Sequence, residues 1–498
     1  MGSFDGTSVA QAPQTAKMAA KERGGLLLIW ASGVALTILL ISGKIDVSPA
    51  NGLVFNEMLV RLLHGQFDIS PSTIGYEAFV YKGHSYAYFG IFCAFLRLPL
   101  VLIGQTGIDV TKISMIVAAA VSLAARLSAV NVALTRAAGV SGPLRLIILI
   151  AIVAGGESVQ YLRPSIYQEI CSWGAALASV FVLLAVTRVL DANRRAGWLY
   201  AGLALTAGLA LLCRVSFGLA LYAALGLMLC VEAWRVRRRL PALRAFVPCA
   251  LILTLFLAAA GGVNAARWGD PLAFIPIRYQ QVLTKRAPDR LRRFERYGEV
   301  NLRRMPFALQ YYFAPVWMLQ DRKGDMLFKQ TQLDLFDCVE LPPSSLLLSD
   351  AEVCLLAAAG VWALSRRRDR VPDAPLAWAA VAGLSSSAVV MLLAISLTFR
   401  YRMDFYPALD FAACIGAASL RLDRARQPTR LFLYAGAAGA AMSACGLMAY
   451  TYSPFGPALD LDMRGGWTAP LEAVAKGYNP KIGHLLPDGS RLPVDVAG

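Results

Sequence analysis

The chain has 498 residues, of which 57% are apolar and 16% charged, with a formal net charge of +16 and a mean hydropathy of +0.54. Soluble domains average nearer 45–50% apolar and about 25% charged residues, so this composition excludes a soluble globular protein. Nucleic acid is excluded as a partner too: much of the Lys and Arg lies in short clusters between apolar runs, which is how membrane proteins mark their cytoplasmic side.

Residues 1–24, with Lys17, Lys21 and Arg23, read as a disordered cytoplasmic lead. The apolar run 26–41 follows without a small-residue cleavage site and is read as a first span rather than a signal peptide. The first external loop, 43–88, comes next. Within it, 51–63 places apolar residues at helical spacing around Asn56, Glu57 and Arg61, as a helix lying in the membrane plane does. Gly65 suits the end of that helix. The run 89–104 is apolar but holds Arg97 and Pro99, and reads as a re-entrant or interfacial helix. Further spans are expected at 110–135, 144–159, 171–190, 198–213, 217–233, 245–263, 349–364, 376–397, 405–420 and 431–450. None of these runs alternates with period two, so helices rather than a barrel are expected to satisfy the backbone in lipid. The fold class is therefore an all-α polytopic membrane protein with about eleven transmembrane helices (range about 10–13). The segments are 1–24; an N-terminal transmembrane module, 25–264; a large external loop, 265–348; a C-terminal transmembrane module, 349–452; and an external tail, 453–498.

Orientation follows from the basic clusters Arg194–Arg195, Arg235 to Arg244, Arg366 to Arg370 and Arg421 to Arg430, all expected in the cytoplasm. That places 44–88, 157–169, 265–348 and the short connection 399–404 outside, with a cytoplasmic N-terminus and an external C-terminus. The first half of 265–348 is itself rich in arginine, but the sign rule holds only for loops under about 60 residues.

Several chemistries find no motif. The chain contains no GxxxxGK[ST], GxSxG or HExxH, and its three histidines, His64, His84 and His484, are scattered. Nine cysteines, all but Cys338 in or beside expected spans, make no disulfide framework and no CxxC pair. The only metal expectation is a carboxylate-held divalent cation, Mg²⁺ or Mn²⁺. The remaining polar groups gather in the external segments: Asp46, Glu57, Asp68, Glu77, Lys82, His84 and Tyr88 in the first loop, Arg163 and Arg214 at span ends, Asp270 and Arg278 in the large loop, and Arg400, Arg402 and Asp404 in the short connection. An ionisable group at membrane depth is costly without a partner and so marks a functional candidate, although a snorkelling or salt-bridged arginine is the bland alternative at each span end.

One span, then an acidic residue (Asp46), an in-plane helix (51–63), a turn at Gly65-Gln66-Phe67, and the run Tyr81-Lys82 to Tyr86-Ala87-Tyr88-Phe89-Gly90 form a layout. It resembles the GT-C class of membrane glycosyltransferases, particularly the protein O-mannosyltransferase and lipid A aminoarabinose transferase branch. Asn264, Arg267-Trp268-Gly269-Asp270-Pro271 and Arg400 to Pro407 are also similar to bacterial proteins of that class. The resemblance implies a sugar donor linked to polyprenyl phosphate, inversion at the sugar, and a carboxylate that takes the proton from the acceptor hydroxyl. Counted back from Gly65, the family's leading acid falls near Asn51 rather than at Asp46, which leaves Glu57 and Asp68 as alternatives. Arg214 stands where those families carry a Lys.

The resulting expectation is an inverting glycosyltransferase of the bacterial inner membrane, acting on an envelope glycan, lipid or protein outside the cell. Asp46, then Glu57, would serve as base. Arg163, Arg214 and Arg402, the last oriented by Asp404, would hold the phosphate, with Lys82, His84, Tyr88, Arg278 and Arg400 also binding substrate. The rival reading is a transporter or flippase of a lipid-linked glycan, and a non-catalytic assembly component is a third.

Overall fold

The computed structural model describes residues 11–42, 52–155, 158, 161, 164–191, 196–236, 246–274, 276–281, 288–314, 331, 334–336, 338–339, 345–422 and 427–452. Sixteen helices carry the architecture. They are α1 (Gln11–Ile41), α2 (Val54–Leu63), α3 (Phe92–Phe95), α4 (Leu98–Leu102), α5 (Thr111–Leu134), α6 (Gly142–Ala154), α7 (Ile166–Leu190), α8 (Ala196–Cys213), α9 (Val215–Val236), α10 (Val247–Trp268), α11 (Pro288–Tyr297), α12 (Met305–Phe313), α13 (Ala351–Arg366), α14 (Ala374–Leu393), α15 (Tyr406–Ser419) and α16 (Gln427–Tyr452). Each expected span overlaps one of these helices over its described residues. Six of them, in α1, α5, α7, α9, α10 and α14, are long and apolar enough to cross a membrane.

Two segments differ from expectation. α1 reaches back to Gln11, into the segment expected to be irregular, because 11–23 is rich in Ala, Gln, Lys and Glu, which favour helix whether or not they meet lipid. The run 89–104 does not form one helix. It breaks into α3 and α4 around Arg97, and neither is long enough to span a bilayer.

α7 is the hub. It is the most enclosed of the six, with 78% of its apolar window buried, and it packs on α5, α8 and α15. α13 pairs with α15, and α9 with α14. Glycines allow the closest approach: a Cβ on Gly360 would run into the Ala412 carbonyl, and one on Gly416 into the Leu356 carbonyl. The backbones of α13 and α15 therefore touch at two reciprocal points, the small-residue packing that membrane helices favour.

Six arginine–carboxylate pairs tie the bundle together. They are Arg97–Glu169, Arg126–Asp410, Arg188–Glu232, Arg214–Asp404, Arg235–Asp373 and Arg402–Asp350. Their placement sorts the loops by side. Arg235–Asp373 and the backbone bonds of Ala138 to the Leu420 carbonyl and the Leu422 N–H join segments expected on the cytoplasmic side. At the opposite end, Gln280 meets Glu77, and the Val300–Ala394 bridge joins the large loop to the end of α14. Arg304 fixes that second junction. Its fully buried guanidinium donates to the carbonyls of Gly298, Glu299, Leu335 and Leu393. Strand β3 (Cys338–Val339) adds a parallel pairing to β4 (Ser396–Leu397), just before Arg400. The tail 453–498 lies outside the described residues.

Candidate functional site

The first loop is built around a short antiparallel hairpin, β1 (Phe79–Tyr81) and β2 (His84–Tyr86). Its turn residues, Lys82 and Gly83, have φ of 49° and 82°, the positive pair of a type I′ turn, whose twist matches that of the strands. Lys82 is the only non-glycine residue with positive φ among the described residues. Three contacts seat the hairpin on the bundle. Trp268, at the end of α10, packs against Phe79 and Tyr86 with ring centroids 6.0 and 5.2 Å away. The neighbouring Arg267 is buried and donates to the Phe89 carbonyl at 2.8 Å. Gly90 lies so close to the end of α8 that a Cβ would overlap the carbonyls of Leu212 and Cys213, the latter at 2.5 Å.

That close approach sets Tyr88 beside Arg214, the single residue between α8 and α9. Arg214 is held on several sides: Nε donates to Ser216 Oγ at 2.9 Å, Nη1 to Cys171 Sγ at 2.7 Å and Nη2 to Asp404 Oδ2 at 2.9 Å. Its guanidinium also lies 4.9 Å from the centre of the Tyr401 ring. Asp404 is fully buried, and burial raises its pKa while the Arg214 charge opposes the rise.

Arg400 completes the positive side, with its guanidinium 5.1 Å from the Tyr167 ring and 5.4 Å from that of Tyr401. Glu77 stands on the same group of tyrosines: it accepts from Gln280 Nε2 at 3.0 Å, and its carboxylate helps burial raise the pKa of the Tyr167 phenol. Tyr88 senses the whole group. Burial, with Tyr401 and Glu77 nearby, raises its pKa, while Arg400 and Arg214 pull it down. Glu77, Tyr88, Tyr167, Arg214, Arg400 and Tyr401 thus form one half-buried cluster of a carboxylate, two guanidinium groups and three phenols. Such a cluster can bind an oxyanion and take up a proton a short distance away.

Of the residues expected from sequence, the cluster contains Tyr88, Arg214 and Arg400, with Asp404 behind Arg214. Asp46 and Arg163 lie outside the described residues. The pairing expected between Arg402 and Asp404 is not made. Residues 399–405 form a 3₁₀ helix, in which residues two apart point in different directions and residues three apart eclipse. Tyr401 and Asp404 therefore share a face and both meet Arg214. Arg402 turns into the core, 2.6 Å from Asp350, whose carboxylate also accepts from Tyr406 and Ser349.

Glu57 is engaged elsewhere. Its Oε1 accepts from Arg61 Nε at 2.8 Å and from the backbone and hydroxyl of Ser70. Burial raises its pKa, but the bonds from Ser70, Thr73 and Arg61 outweigh that and leave it below the usual 4.5. His84 is exposed, with Nδ1 3.4 Å from Asp68, and Lys82 and Arg278 are exposed beside Tyr81 and Tyr279.

Sequence reasoning passed over Glu77 as an acid, together with Tyr167, Tyr401 and Cys171. Glu77 sits in a polar loop with no periodicity to single it out, and its only signal was its place just before the hairpin. Among the described residues no three His, Cys, Asp or Glu side chains come together to hold a metal ion.

No family model matches the chain, and no curated protein matches it. Among solved structures it is similar to the archaeal oligosaccharyltransferase AglB from Archaeoglobus fulgidus in complex with an inhibitory peptide and a dolichol-phosphate. That match has a TM-score of 0.46 and 14% identity over 84% of this chain and 55% of the other. The apo form of the Archaeoglobus fulgidus enzyme gives 0.46 and 14% over 85% and 56%. The form tethered to an acceptor peptide gives 0.44 and 13% over 86% and 56%. This chain spans little more than half the length of those structures. At that distance the likeness carries no functional argument, and the chemistry of the cluster has to.

Proposed function

We propose that this chain is an integral-membrane glycosyltransferase that moves a sugar from a polyprenyl-phosphate donor to an envelope acceptor at the external membrane face. The observation that carries the reading is that Arg214 and Arg400 both lie over the Tyr401 ring, with Glu77 on the same group of tyrosines, at one end of the bundle where a lipid-borne phosphate would meet water. Arg214 and Arg400 hold the phosphate, and Arg214 does so as a guanidinium already oriented by Asp404 and Ser216. The acceptor hydroxyl oxygen attacks the anomeric carbon. The bond from that carbon to the phosphate oxygen breaks, its electron pair leaves with the phosphate, and the hydroxyl proton passes to a carboxylate. Glu77 is the described carboxylate suited to that role, and Asp46 is the alternative from the same loop.

The test is transfer of labelled sugar from a polyprenyl-phosphate donor by the full chain in nanodiscs, with the envelope fraction of a deletion strain as acceptor. The wild type should transfer. Glu77→Gln should lose about 10²–10⁴ in rate if it is the base, and Arg400→Gln about 10²–10³. Loss in Asp46→Asn with full activity in Glu77→Gln would move the base to Asp46. Wild-type rates in all three variants would overturn the assignment.

A further inference from the structure

Beside the proposed transfer site lies a second group of side chains that the transfer step does not use. The segment 276–281 extends the hairpin as a third edge: Gln280 bridges Phe79, and the Gln281 N–H donates to the Ala78 carbonyl at 3.0 Å. This pairing brings Tyr279 against Tyr81, with ring centroids 4.9 Å apart and planes tilted 47°. Each ring carries a cation from an adjacent residue in the chain. Lys82 Nζ lies 5.2 Å from the Tyr81 centroid, and the Arg278 guanidinium 5.8 Å from that of Tyr279. Both cations are exposed.

Their isolation sets them apart. Among the described residues, Arg61, Arg97, Arg126, Arg188, Arg214, Arg235 and Arg402 have carboxylate partners, whereas Lys82 and Arg278 have none within ion-pair distance. The nearest acids are engaged: Asp68 with Arg61 and His84, Asp270 with the Leu272 N–H, and Glu77 with Gln280. Lys82 also occupies a turn position where Asn or Gly would be unstrained, so its ammonium sits at the hairpin tip at some conformational cost. Two half-buried aromatic rings suit the C–H face of a pyranose. Two cations lying over these rings, with no carboxylate partner among the described residues, suit an anion on the same sugar.

We propose that Tyr81, Lys82, Arg278 and Tyr279 form the acceptor subsite, and that the acceptor is an acidic glycan, one bearing carboxylate or phosphate groups. The inference rests on the transferase reading for the word acceptor. The binding chemistry stands apart from it. Gln280 links the subsite directly to Glu77, so a sugar seated on the two tyrosines would present a hydroxyl toward the proposed base.

Calorimetry with the full chain in nanodiscs can test this with tetragalacturonate, its carboxyl-reduced neutral counterpart, and a phosphorylated mannan fragment as probes. The acidic probes should bind at least about tenfold more tightly than the neutral one. The carboxylate and phosphate arms tell which anion the site prefers. Lys82→Asn, which suits the turn, and Arg278→Gln should each remove most of that preference. Tyr81→Leu should weaken acidic and neutral probes alike. Arg292→Gln, an exposed arginine on α11, should change nothing. Equal affinity for acidic and neutral probes would overturn the inference, as would an equal loss in Arg292→Gln, which would mean bulk charge rather than a site. If acidic glycans bind through Lys82 and Arg278 but no sugar is transferred, the transferase reading fails and the subsite stands. Transfer to a neutral acceptor, unaffected by Lys82→Asn and Arg278→Gln, would do the reverse.

Discussion

The two arginines of one short connection illustrate how much a single turn decides. Arg402 is 3% exposed and faces the fully buried Asp350, whereas Arg400 lies over tyrosine rings at the mouth of the site. Removing one partner of a buried pair strands the other charge and costs roughly 3–5 kcal/mol. Arg402→Met should therefore lower the melting temperature in detergent markedly. Arg400→Lys should leave it nearly unchanged while reducing transfer, because the charge stays and the planar fork is lost. Melting curves and transfer assays on the two variants check this, and the opposite pattern would exchange their roles. Sequence singled out both arginines but favoured Arg402, because Asp404 follows two positions later. Two positions share a face in a strand, not in a 3₁₀ turn. A second residue-scale prediction concerns pH. Glu57 has its pKa held below the usual 4.5 despite burial, chiefly by Ser70, Thr73 and Arg61. A depressed carboxylate pKa stabilises the fold above the unfolded value, and that contribution is lost as pH falls through the folded one. Hydrogen exchange in 57–70 should accordingly rise as pH drops below 4.5, after correction for the intrinsic pH dependence, and Glu57→Gln should flatten the response.

At the scale of elements, the apolar runs marked the helices well, because a chain in lipid has few other ways to satisfy its backbone. The run around Arg97 was harder to place. Its apolar residues matched a span, but the Arg97 side chain is drawn to Glu169 at 2.7 Å and Asn56 at 3.2 Å, from α7 and α2, and α3 and α4 part around it. No local pattern announces a partner 72 residues away. The hairpin was legible as residues but not as a platform, since Trp268 and Tyr279 come from far along the chain. Its seat depends on one glycine. Gly90→Ala would push a methyl into the carbonyls of Leu212 and Cys213, backbone atoms that cannot rotate away. The variant should lose roughly 1–3 kcal/mol of stability and show weakened transfer from the displaced Tyr88. A melting temperature equal to the wild type would show that the loop is not seated there.

For the molecule as a whole, the sequence placed its polar segments on one side by counting charges, and the contacts group those segments at one end of the bundle. What it did not reveal was that arginines inside the apolar helices answer carboxylates far along the chain. Arg126 meets Asp410 across 284 residues at 2.8 Å, and Arg188 meets Glu232, all within helices of the apolar bundle. This pairing has an electrical consequence. Moving one elementary charge across the bilayer is worth about 2.3 kcal/mol per 100 mV, but a locked pair of opposite charges presents no net charge for the field to move. The catalytic cycle should therefore be electrically silent. In proteoliposomes carrying a potassium diffusion potential, the transfer rate should be the same at zero and at about 100 mV of either sign. A rate that varies steeply with voltage would mean that charge crosses the membrane during turnover, the behaviour of a transporter of a charged lipid-linked glycan.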